Sequence, residues 1–136
     1  MNGALIIMGY IYNPSGFDWM NFKLTDKNPY TFHHIVEKRN GGDKSIENGA
    51  ILTNYAHQLL NVFDYFCPEA YNDLQNVFTR INTSGEPPTN DIVKEVDQIL
   101  YKALMTDEYK YKKEISLSKY RDMYLEGRKE LKKCLE

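Results

Sequence analysis

Apolar positions recur at helical spacing through the second half of the chain. Leu59, Phe63 and Phe66 form one stripe with Leu60 beside it, which predicts a helix over 54–66. Pro68 suits the first turn of a second helix, 68–81, with Tyr71, Leu74, Val77, Phe78 and Ile81 facing inward. The run Thr83-Ser84-Gly85-Glu86-Pro87-Pro88 ends it. A third helix, from about Asn90 to Met105, carries Ile92, Val93, Val96, Ile99, Leu100 and Leu104.

Before Asn54 the pattern is different. Residues 4–12 (ALIIMGYIY) read as a buried strand or short apolar element, between which periodicity does not choose. Asn13-Pro14-Ser15-Gly16 is a turn signal, and 17–29 are mixed and loop-like. Residues 30–37 (YTFHHIVE) are aromatic and β-branched, as strands are. After the Gly41-Gly42 loop, 50–53 (AILT) suit a second strand, closing a hairpin with a long connection.

Composition narrows the class. A chain of 136 residues, 42% hydrophobic and 26% charged, suits one soluble globular domain. No run approaches the ~18 apolar residues of a membrane span. Ala4–Ile11 lacks a preceding basic segment and a following small-residue cleavage site, so neither a membrane partner nor a signal peptide is expected. Two cysteines, Cys67 and Cys134, cannot build a four-ligand zinc site or a disulfide framework, which points to reduced thiols and a cytoplasmic protein. The net charge of −2 argues against charge-driven coating of nucleic acid but not against contact at one site. Residues 107–136 hold nine Lys and Arg against seven Asp and Glu, interleaved with tyrosines. That segment reads first as a solvated amphipathic helix, and second as a nucleic-acid-facing arm.

The three histidines all lie between positions 33 and 57. His33 and His34 are adjacent on a strand and therefore face opposite ways. His57 and Asn61, four apart on a helix, share a face. A strand imidazole facing a helix imidazole makes a pair of ligands for a divalent cation. The remaining strand histidine is free to take a proton from water near neutral pH. Metal plus base suffices for phosphodiester hydrolysis.

In order and spacing, residues 32–61 (FHHIVEKRNGGDKSIENGAILTNYAHQLLN) resemble the HNH endonucleases and their ββα-metal finger. Asn48 stands 14 positions after His34, and His57 nine positions after Asn48. The resemblance implies that His33 binds the metal and that His34 is the general base activating water. It implies that Asn48 ties the loop to the base strand and helps orient the histidine. His57 takes the place of the helix metal ligand, and Asn61 that of a further ligand one turn on. Lys38, Arg39 and Lys44 become candidate phosphate contacts. Two features depart from the family: the CxxC pairs that many members carry are absent, and the loop after the doublet lacks the usual proline.

The expectation is thus an α+β chain, a small ββα-metal finger embedded in a mainly helical single domain. Residues 1–31 supply an N-terminal strand and loop, 32–66 the finger, and 67–136 a helical extension. The expected activity is that of a metal-dependent endonuclease on DNA, with one divalent cation, Mg²⁺ first and Mn²⁺, Ni²⁺ or Zn²⁺ as alternatives. A double-strand cut by one-site subunits would favour a homodimer. The competing readings are a non-catalytic nucleic-acid- or protein-binding module retaining the finger, and a helical interaction protein with a structural zinc, for which four ligands are lacking.

Overall fold

A computed structural model describes residues 16–36, 48–106 and 116–135. These form an α+β, mainly helical arrangement: a two-stranded antiparallel hairpin, β1 (Tyr30–His34) and β2 (Gly49–Thr53), and four helices. The helices are α1 (Asn54–Phe66), α2 (Pro68–Ser84), α3 (Asn90–Met105) and α4 (Ser118–Leu135). The apolar element expected at 4–12 lies outside the described residues. Among the described residues no helix is long and apolar enough to cross a membrane.

The hairpin register pairs Tyr30 with Thr53, His33 with Ala50 and His34 with Gly49. β1 stops at His34 and leaves out Ile35 and Val36 of the predicted strand, although Ile35 N still donates to Asn48 O at 2.9 Å. β2 is buried along its whole length. Its second edge is covered by the segment 17–23, whose Trp19 N donates to Ile51 O at 3.0 Å. An exposed edge there would invite pairing with another chain, so this cover matters to the element that carries the site.

That segment reads as a loop in sequence, yet Phe17, Trp19, Met20 and Phe22 are all buried. Asp18 organises it. Its Oδ1 accepts from Met20 N (2.8 Å) and Phe22 N (2.9 Å), and its Oδ2 from Thr53 N (2.6 Å). Burial nevertheless pushes the Asp18 carboxyl up to about 6, with the hydrogen bonds acting in the opposite sense. Asn21 sits at φ 64°, in the left-handed region that asparagine tolerates, and turns the chain.

The starts of the first three helices are written in the chain. Thr53 caps α1 by accepting from Ala56 N at 3.4 Å, Pro68 opens α2, and Thr89 caps α3 by accepting from Ile92 N at 3.3 Å. Gly85, at φ 69°, closes α2. α1 and α2 pack on the hairpin, α3 packs on α2, and α4 packs on α3 and α1. The C-terminal segment is more than a solvated helix. Leu117, Tyr124 and Gly127 are buried, and Tyr124 belongs to the same core as Trp19, Leu59 and Phe78.

Candidate metal centre and histidine cluster

Alternation along β1 divides its side chains into two sets. Thr31 and His33 face α1, whereas Phe32 and His34 lie on the other side, with ring centroids 5.2 Å apart. His33 is 4% exposed, and its ring meets His57 edge to face at 5.3 Å and Phe78 at 5.9 Å. The strand imidazole and the helix imidazole are therefore brought together.

The hydrogen-bond network settles where their protons lie. Thr31 Oγ1 donates its one hydrogen to Leu52 O at 2.9 Å. It must then accept from His57 Nδ1, 2.9 Å away, so His57 carries its proton on Nδ1 and keeps a lone pair on Nε2. Gln75 Nε2 donates to Ile35 O at 2.7 Å, which turns its Oε1 toward His33. At 2.7 Å, His33 Nε2–H donates to that oxygen, leaving the lone pair on Nδ1.

Burial lowers His33 to about 4, against the opposing effect of the Gln75 hydrogen bond. The positive forms of His57 and His34 push it the same way as burial. His57 is lowered by burial first and by the charge of His34 second. Both rings are thus uncharged at neutral pH, the state that binds a metal. Electrostatically, the three imidazoles form one cluster.

His34 ends β1 opposite Gly49. Its Nε2 is buried and has no hydrogen-bond partner among the described residues. Such an atom costs about 1–3 kcal/mol, and native chains seldom keep one without use. Asn48 lies just beyond, at the start of the second strand. Its Oδ1 accepts from Val36 N at 2.8 Å and its Nδ2 donates to Val36 O at 2.9 Å. The side chain thereby ties the far end of the connection to the backbone two residues past His34.

Asn61 lies one turn beyond His57 and is exposed. Among the described residues no three His, Cys, Asp or Glu side chains make a metal-holding group. The imidazole nitrogens left for a cation are His33 Nδ1 and His57 Nε2. Lys38, Arg39 and Lys44 lie outside the described residues.

Sequence reasoning missed Gln75 and Thr31. Gln75 interrupts the inward stripe of Leu74, Val77 and Phe78, and a polar side chain there calls for a buried partner. Thr31 precedes His33 by two residues, so strand alternation alone puts it on the same face.

No family model, no curated protein and no solved structure matches the chain. The chemistry of the cluster rests on its own residues.

Proposed function

We propose that the protein is a metal-dependent endonuclease of the HNH type, hydrolysing phosphodiester bonds of DNA. The observation that carries this reading is the geometry of the histidine cluster. One strand histidine and one helix histidine meet, both uncharged and each with a lone pair fixed by a neighbour. The adjacent strand histidine faces the other way with an unpartnered buried nitrogen. The hairpin followed by α1, with Asn48 bound back to Val36, agrees with a ββα finger.

In this reading His33 and His57 hold the cation, with Asn61 as an outer ligand directly or through water. Neutral imidazoles suit Mn²⁺, Ni²⁺ or Zn²⁺ better than Mg²⁺, which prefers oxygen. When bound, the ion stabilises negative charge on the phosphoryl group and the leaving 3′-oxygen. His34 takes the proton from the attacking water. Asn48 keeps the end of β1 in place, so that the base and the ligand pair stay in fixed relation. Gln75 and Thr31 hold the two ligand rings in the tautomers that expose a lone pair.

The test is supercoiled plasmid incubated with the purified protein and Mg²⁺, Mn²⁺, Ni²⁺, Zn²⁺ or EDTA. Nicking or linearisation with at least one cation, absent in EDTA, is expected. His34→Ala should fold normally and lose cleavage by 10²-fold or more, in line with the worth of a general base. Undiminished cleavage by His34→Ala would overturn the mechanism. Inactivity of the wild type with every cation would leave a binding module instead.

A further inference from the structure

The seam between α3 and α4 holds two cavities of about 350 and 420 Å³ that share Asp97 and Arg128. Lys94 and Lys132 line the first, and Tyr101 and Lys102 line the second. In the first cavity Lys94, Arg128 and Lys132 thus stand around one carboxylate, Asp97. Asp97 already accepts from Tyr124 Oη at 2.7 Å and from Arg128 Nε at 3.1 Å, which reduces its repulsion of a bound anion.

Arg128 lines both cavities. Its guanidinium is held on one side by Asp97 and lies over the Tyr101 ring, with Cζ 5.1 Å from the centroid. Its hydrogen bonds leave through Nε. The four Nη hydrogens have no hydrogen-bond partner among the described residues. A planar fork fixed in this way, and still open, suits the paired oxygens of a phosphate. Lys94 and Lys132 are exposed, with no ion-pair partner among the described residues. Lys94 approaches the fork from α3, and Lys132 stands one helical turn beyond Arg128 on α4. Cations from both helices beside one fork suit successive phosphates along a strand.

We propose that this groove binds the phosphate backbone of duplex DNA, with Arg128 at its centre and Lys94 and Lys132 beside it. The choice of DNA rests on the nuclease reading. The groove itself is built from α3 and α4, outside the histidine cluster and outside the segment that resembles HNH enzymes.

The experiment measures binding of a fluorescein-labelled 20-base-pair DNA duplex by anisotropy, in EDTA, at 25–200 mM NaCl. Lys94→Ala/Lys132→Ala should weaken binding about tenfold at low salt and flatten the log–log salt slope by about two. Arg128→Lys, which keeps the charge but loses the fork, should weaken binding with little change of slope. Lys129→Ala removes a charge from an exposed position on α4 that does not line the groove, and should lower the slope by less than half as much as the double variant. Circular dichroism checks that each variant is folded. Equal effects of Lys129→Ala and the Lys94/Lys132 pair would overturn the proposal, as would an unchanged slope. So would binding to an RNA duplex with none to DNA. Because EDTA prevents metal-dependent cleavage, groove binding by a protein that cuts nothing would count against the nuclease reading alone.

Discussion

Gln75 reaches from α2 to His33 in β1 and to the Ile35 carbonyl just past it, and it is the residue whose removal should separate packing from ligand positioning. Gln75→Leu leaves the His33 Nε2–H and the Ile35 carbonyl without their partner. The loss should destabilise the fold by about 1–3 kcal/mol, read by urea unfolding. It also frees His33 to take either tautomer. In the wild type, long-range ¹H–¹⁵N correlation should show His33 protonated on Nε2, and in Gln75→Leu a mixture. Partners of this kind typically contribute 10–100-fold to metal affinity, so Ni²⁺ binding by calorimetry should weaken by about that much. Retention of full Ni²⁺ affinity in a folded Gln75→Leu would show that the contact only packs α2 against the hairpin. Gln75→Glu is the informative partner variant, since its carboxylate still accepts from His33 but has no hydrogen to give Ile35.

Among the elements, α4 and the 17–23 segment stand or fall together. A Cβ on Gly127 would come within 2.9 Å of the Asn21 backbone oxygen, too close without movement of one chain. Gly127→Ala should gain about 1 kcal/mol from helix propensity, while overpacking costs about 1–3 kcal/mol. The clash should win, with net destabilisation of about 1 kcal/mol in chemical denaturation. Net stabilisation would mean that α4 does not lie against Asn21. The helices α1 and α3 match their expected limits because an apolar stripe is a local signal, and the Thr53 and Thr89 caps seen in the structure act at the same boundaries without reference to the rest of the chain. The 17–23 segment was illegible for the opposite reason. Its order comes from Asp18 and Trp19 bonding to β2, more than 30 residues away, and it has no period of its own. In α4 the alternation of charges hides Tyr124, whose burial depends on the Asp97 carboxylate one helix away. The histidine site was legible in part. Alternation placed His33 and His34 on opposite faces and helix spacing placed His57 with Asn61, but Gln75 enters from an element whose packing no local rule predicts.

For the whole molecule, a cation held by His33 and His57 would join the hairpin to α1 and so couple binding to global stability. A ligand that binds the native chain alone stabilises it by about 2.7 kcal/mol at 100 times its Kd. For a chain of 136 residues that corresponds to roughly 8–10 °C in Tm. Ni²⁺ at 100 times its calorimetric Kd should therefore raise the melting temperature by about that amount, and EDTA should reverse it. His57→Ala removes a ligand and should lose both the shift and plasmid cleavage. His34→Ala should keep the shift and lose cleavage, because a base that takes a proton from water is not needed to hold the ion. This pairing discriminates between the roles of three histidines that lie close enough to feel one another's charge. If His34→Ala loses the shift as fully as His57→Ala, His34 is a ligand and the general base must be sought elsewhere. If neither loses it, the ion binds away from the cluster, and the two imidazoles facing each other across the hairpin and α1 are a packing contact.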